Sequence, residues 1–138
     1  MASRTRYVPL LRNSTMTPLR TASPGVAAGA GPLAVCLCAA WCDTCTAYRP
    51  VLERVAEQFP QARFVWLDIE DQESLLGQLD IENFPTLLVA VGKEVRFFGT
   101  LTPQAETLAR LLRASFDAAT RSAIDTDAAA LLARLRGE

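Results

Sequence analysis

Histidine is absent from these 138 residues, and lysine occurs only at Lys93. Any metal centre would therefore lack imidazole and depend on cysteine or carboxylate. Long apolar runs are missing too. None approaches the roughly 18 residues that cross a bilayer. The opening residues hold charge but no secretory core, because "YVPLL" is too short for one. Acidic residues are missing from the first 42 positions, which carry Arg4, Arg6, Arg12 and Arg20. The remainder stands at −5 and the whole chain at −1, so charge makes no general case for nucleic acid or an acidic membrane surface. No internal repeat is present. Without an export signal the expected compartment is the reducing cytoplasm, where structural disulfides are rare. The Arg-, Ser- and Thr-rich opening also suits a transit peptide, so an organelle is the alternative.

What is present is an ordinary globular balance, half apolar and 21% charged. Residues 1–31 are rich in Ser, Thr, Pro, Gly and Ala and read as a tail or linker, with a short edge strand at Met16–Thr21. "PLAVCLCAA" (Pro32–Ala40) is a continuous apolar run of strand length, as expected of a strand buried on both faces. The period then changes. Val51, Leu52, Val55, Ala56 and Phe59 share one helical face, predicting a helix from Asp43 to the "FPQ" break, kinked at Pro50. A second strand follows at Arg63–Glu70 and a Gly-interrupted helix at Asp71–Ile81. Pro85–Val91 and Val95–Thr100 read as strands joined by the turn Gly92–Glu94. That link is too short for a crossover helix, so the pair is antiparallel. A helix is expected at Leu101–Phe116, with Thr102 as N-cap and Pro103 at the first helical position. A last helix is expected at Asp127–Arg136, its stripe running through Ile124, Ala128, Leu131, Leu132 and Leu135. This order predicts an α/β sandwich with a mixed sheet. The expected boundaries are a tail at 1–31, a domain at 32–118 and a helical extension at 119–138.

All four cysteines fall between positions 36 and 45. In "AAWCDTCTAYRP" (Ala39–Pro50) a strand gives way to a helix, which puts Cys42 at the helix N-terminus and Cys45 one turn in. Cysteines three apart share a helical face and lie close enough to bridge. Free N–H groups and the helix dipole favour a thiolate at Cys42, and a thiolate is the nucleophilic form. Cys45 would then attack a mixed disulfide on Cys42 and release the substrate. Cys36 and Cys38 share a strand face. They read as small buried hydrophobes, as a site where Cys36 exchanges with Cys45, or as half of a four-cysteine zinc site. Zinc fits poorly, since only three residues separate Cys38 from Cys42.

A C-x-x-C between strand and helix resembles the thioredoxin family. "AAWCDTC" is similar to that family's Trp-Cys-x-x-Cys, and Pro50 stands where its active-site helix is kinked. "WLDIEDQ" resembles the second core strand, "NFPTLL" the cis-proline loop and "GKEVRFFGTL" the closing hairpin. The resemblance covers roughly Pro32–Phe116 and implies a three-layer thioredoxin-like sandwich. It implies a thiol–disulfide oxidoreductase with Cys42 as nucleophile and Cys45 as resolving thiol. It also implies a cis bond before Pro85, substrate pairing at the Phe84 backbone, apolar contact from Trp41 and a substrate-facing loop at Gly99. The substrates implied are protein or small disulfides, recharging would come from a flavin-dependent reductase or glutathione, and no cofactor beyond the redox-active cysteine pair is expected. A monomer with no nucleic-acid or membrane partner is expected.

The chain departs from the family between its cysteines, where Asp43 and Thr44 replace the usual Gly-Pro. Asp43 suits the helix dipole but opposes a neighbouring thiolate. The family's buried acid corresponds to Cys36 and its lysine partner to Trp66, so both members of that pair are lost together. The competing expectation is a thioredoxin-like adaptor whose thiols are incidental.

Overall fold

The structure is a computed structural model that describes residues 20–21, 25–39, 41–70, 73–77, 81, 83–102, 104–117 and 126–137. Residues 1–15, Pro103 and the connection before residue 126 lie outside the described residues, as do the readings made of them.

In chain order the elements are β1 (Arg20–Thr21), β2 (Pro32–Cys38), α1 (Asp43–Ala56), β3 (Arg63–Asp68), α2 (Glu73–Leu76), β4 (Thr86–Val91), β5 (Glu94–Thr100), α3 (Ala105–Ser115) and α4 (Thr126–Arg136). They form one mixed sheet in the order β1-β3-β2-β4-β5. The α1 crossover makes β2 and β3 parallel, while β4 returns antiparallel to β2 and turns directly into β5. β2 is central, which is why its sequence is an unbroken apolar run. Its alternation divides the core. Leu33, Val35 and Leu37 face α2 and α4, whereas Ala34, Cys36 and Cys38 face α1 and α3. The result is the expected three-layer α/β sandwich.

Several sequence readings are corrected. Of the expected Met16–Thr21 edge strand, Arg20–Thr21 is strand and pairs parallel to β3, and residues 16–19 lie outside the described residues. The helix expected at Asp71–Ile81 is described as a single turn, because Gly77 takes a left-handed φ of 60° and ends it. The helix expected from Leu101 begins at Ala105. Gln104, not Thr102, occupies the cap, with extended φ −117° and ψ 133°. The Gln104 N–H closes on the Thr102 carbonyl at 2.8 Å, which keeps that segment out of the helical path. α1 contains Pro50 and stops at Ala56, short of the "FPQ" break.

The boundaries at 31 and 118 do not separate packed from unpacked chain. Ala27 is fully buried. Gly25 and Ala27 donate to the carbonyls of Arg134 and Leu135 at 3.1 and 2.8 Å, tying this segment to the end of α4. Gly137, at φ 87°, turns the chain out of α4, and a Cβ there would stand 3.3 Å from the Gly25 Cα. Arg136 is the buried clasp. Its guanidinium donates to the carbonyls of Ala27, Gly31 and Gly92 at 2.8–3.1 Å. Ala128, Leu131, Leu132 and Leu135 enter the core on the same face, so α4 is part of the domain and not an appendage.

Candidate active site

The β2–α1 junction builds the site. Cys42 is the N-cap of α1, with extended φ −89° and ψ 115°, and its N–H donates to the Ala39 carbonyl at 3.0 Å. Both the N–H and the hydroxyl of Thr46 donate to the Cys42 carbonyl, at 3.1 and 3.3 Å, fixing the first turn. No side chain accepts a hydrogen bond in the cap position, so the free N–H groups at the helix start face the sulfur. The Cys45 N–H, with that of Thr44 adding to it, pulls the Cys42 thiol below its ordinary value. Partial burial and the exposed Asp43 carboxylate oppose this shift. The competition foreseen at Asp43 is therefore won by the helix start.

Cys45 lies on the inner side of the same turn and is buried. Burial pushes its thiol up, and contact with the Cys38 thiol adds to the rise. One thiol is thus lowered in pKa at the helix start, and the other is raised a turn below.

Phe84 and Pro85 arrive from the loop before β4. Their peptide bond is cis, and the Thr86 hydroxyl donates to the Asn83 carbonyl across the loop. Trp41 is 64% exposed and meets the Phe84 ring edge to face at 5.5 Å. The structure thus brings Trp41, Cys42, Phe84 and Pro85 to one end of the sheet. Gly99 is corrected from a loop to a strand position. Hairpin pairing runs on to Thr86–Thr100, and Gly99 lies opposite Leu87 inside β5. Thr44 is exposed in the first turn and contributes its N–H, not its side chain, to the thiol.

Cys36 is buried and pairs in register with Trp66 on β3, the two positions where the buried acid and its partner were expected to be lost. The Arg49 guanidinium from α1 sits 4.9 Å over the Trp66 ring. Cys36 and Cys38 are both fully buried, as the reading of them as small hydrophobes has it, and the thiol acting on Cys45 is that of Cys38, not Cys36 as the exchange alternative had it, with Cys36 behind it at 3.4 Å. Strand alternation puts both on the α1 face, and the strand-end position of Cys38 was the available clue. The sequence reading missed Tyr48. Its buried hydroxyl has no hydrogen-bond partner among the described residues, and its pKa is pushed up by burial, with Cys36 and Cys38 adding to the rise. Among the described residues no cluster of Cys, Asp or Glu has the geometry to hold a metal.

The thioredoxin family model matches residues 24–114. The chain belongs to the thioredoxin family. Its members are thiol–disulfide oxidoreductases. Thioredoxin-1 of Saccharomyces cerevisiae is 38% identical over 58 residues, 41% of this chain and 56% of its own length. This chain therefore spans little more than half of that relative. Thioredoxin-2 of the same yeast is 32% identical over 84 residues, 58% of this chain and 81% of its own length. Among solved structures, a mutant thioredoxin from Halobacterium salinarum superposes with a TM-score of 0.64 at 21% identity, covering 77% of this chain and 96% of that one. The short form of thioredoxin F from spinach chloroplast gives 0.62 at 20% identity, covering 77% and 100%. At such identity these structures speak for the thioredoxin fold alone.

Proposed function

We propose that this thioredoxin-family chain reduces protein disulfides by dithiol exchange, with Cys42 as nucleophile and Cys45 as resolving thiol. The observation that carries the reading is the placement of the two thiols, Cys42 half-buried at the N-cap of α1 and Cys45 buried one turn in. The Cys42 thiolate attacks one sulfur of the substrate disulfide. An S–S bond forms to Cys42, the substrate bond breaks, and its other sulfur leaves as a thiolate. Cys45 then attacks the Cys42 sulfur and releases the second substrate sulfur. The proton lost by Cys45 passes to the departing thiolate or to water, because no carboxylate stands at position 36. The product is a Cys42–Cys45 disulfide, and no other cofactor is needed.

The Phe84 backbone suits main-chain pairing with an extended substrate segment, which tolerates many sequences. Trp41 and the Phe84 ring offer an apolar surface beside the nucleophile. Recharging by a flavin-dependent reductase or by glutathione, in a reducing compartment such as the cytoplasm, completes the proposal. The test is insulin reduction with dithiothreitol supplied to recharge the chain. The wild type should precipitate insulin chains catalytically, and Cys42→Ser should fall to the background rate. A wild type no faster than Cys42→Ser would reject the enzyme in favour of the adaptor.

A further inference from the structure

A cleft opens at the end of the sheet away from the thiols, and disulfide exchange makes no use of it. It holds about 430 Å³, within the ~300–1,000 Å³ of small-molecule sites. Its walls are the loop 28–31 before β2, the approach to β3 with Gln61 and Arg63, and Arg136 of α4. The seven residues of β2, roughly 23 Å of strand, separate it from the start of α1. Two guanidiniums stand in the lining, and among its described residues there is no carboxylate. Arg136 is engaged in the clasp and adds its charge. Arg63 is only half engaged. Its Nη1 donates to the carbonyls of Val26 and Ala28 at 3.1 and 3.0 Å, which holds the group in place, whereas Nη2 and Nε have no acceptor among the described residues.

The loop has the same polarity. The carbonyls of Ala28, Ala30 and Gly31 accept from Arg63, the Gly92 N–H and Arg136 at 2.9–3.0 Å. The N–H groups of Gly29, Ala30 and Gly31 have no acceptor among the described residues, and all three residues are exposed. Successive N–H groups in such a turn form anion-binding concavities. Gly29 bends the loop at a φ of 112°. Gly31 makes no such backbone demand, and a Cβ there would meet nothing within 4 Å, so packing does not call for glycine. Close approach of a ligand to the backbone does.

We propose that this cleft binds a small molecule through its phosphate, held between the Arg63 guanidinium and the N–H groups of residues 29–31. Nη2 and Nε form one edge of the planar fork and can reach two oxygens of the same phosphate, a charge-assisted pairing. The cleft leaves room for a body larger than the phosphate itself. Its walls come from the early, middle and last parts of the chain, so a bound phosphate ties them together and stabilises the fold by mass action. The thiols lie at the other end of the sheet, so exchange at Cys42 proceeds whether the cleft is filled or empty.

The experiment titrates sodium pyrophosphate into the reduced full chain in a phosphate-free buffer, read by calorimetry and by thermal unfolding. Sodium chloride at matched ionic strength is the control. Uptake by the wild type should saturate below about 1 mM, and its unfolding midpoint should rise by a few degrees beyond the chloride control. Arg63→Gln should weaken binding about tenfold or more, the weight of a hydrogen-bonded charge. Gln61 is exposed, so Gln61→Glu should fold as the wild type does, and its carboxylate in the lining should weaken binding several-fold. Both variants should reduce insulin at the wild-type rate. If Arg63→Gln does not fold, Gln61→Glu decides the question alone. Uptake that does not saturate, or a midpoint shift no larger than that of chloride, would overturn the site. Unchanged affinity in the folded variants would overturn it too, and would assign the anion to Arg4, Arg6 and Arg12 instead.

Discussion

On the α2/α4 side of the sheet the buried core is built from Ala, Val and Leu, closed by the Arg136 clasp. On the α1/α3 side it buries three thiols and the Tyr48 phenol among its aliphatic and aromatic side chains. The same sheet, and even the same strand, supplies both faces. β2 alternates Leu33, Val35 and Leu37 with Ala34, Cys36 and Cys38. The difference teaches that stability and reactivity are separated by a single peptide step. One face can carry protonated thiols and an unpaired hydroxyl because the other holds the domain together.

The largest test strikes the aliphatic face. Replacing Leu131 and Leu132 together with Asp removes two buried side chains worth ~1.5–3 kcal/mol each and leaves two carboxylates facing apolar surroundings. The loss should be at least about 4 kcal/mol, a large part of an ordinary domain's stability. Urea unfolding measures it. The loss should be the same at every protein concentration, because α4 packs within its own chain. A midpoint that moved with concentration, or did not move at all, would break the contrast between the faces.

Next comes pH, which acts on the thiol face. Cys38 and Cys45 keep their protons in the folded chain well above the ordinary 9.0. The unfolded chain releases them near 9.0, so their contribution is complete below that pH and drains away above it. Between pH 9 and 10 stability should fall by about 1 kcal/mol for each of the two, and the slope should steepen toward about 1.4 kcal/mol per pH unit above that. Cys42 has the opposite sign. Its folded value is lowered, so its contribution is present at high pH and is lost as pH falls through that value. Urea unfolding in the presence of a phosphine reductant should show a shallower alkaline fall for Cys38→Ala and a steeper one for Cys42→Ala. Equal slopes in all three chains would mean that burial of the inner thiols carries no protonation energy.

A smaller effect is expected at Tyr48. Among the described residues its hydroxyl is buried without a partner, a condition that costs about 1–3 kcal/mol. Tyr48→Phe keeps the ring and removes the unpaired group, so it should stabilise the chain by about 1 kcal/mol. Thermal unfolding checks this. A destabilised variant would mean that the phenol holds a hydrogen bond in solution.

The contrast between the faces was only half legible beforehand. The apolar run of β2, the period of α1 and the helix-start place of Cys42 could be read because each depends on neighbours a few residues away. The loss of the buried acid and its partner could be read from positions 36 and 66, which the parallel register sets opposite one another. The Cys38–Cys45 contact could not, because it depends on how far α1 sits over β2. Nor could the clasp at Arg136, whose carbonyl partners lie 44–109 residues earlier in the chain. Residues 25–31 looked like linker by composition. What buries Ala27 is the far end of α4, which no local pattern announces.

The smallest predicted effect sharpens the contrast within the thiol face itself, between the half-buried Cys42 and the buried thiols behind it. Asp43 is exposed, and its carboxylate acts on Cys42 through its charge. It raises the thiol's pKa against the stronger pull of the N–H groups. Asp43→Asn removes the charge and keeps the size, so the thiolate should form at lower pH. Below the Cys42 pKa, iodoacetamide should react roughly twofold faster, the weight of an exposed pair of charges. Well above that pKa both chains are fully ionised and the rates should converge. Salt should shrink the difference, since an exposed charge is screened within about 10 Å at 0.1 M. Cys45 should stay unlabelled in both chains, because its protonation is set first by burial. A slower Asp43→Asn would mean that the carboxylate's service to the helix start outweighs its repulsion of the thiolate.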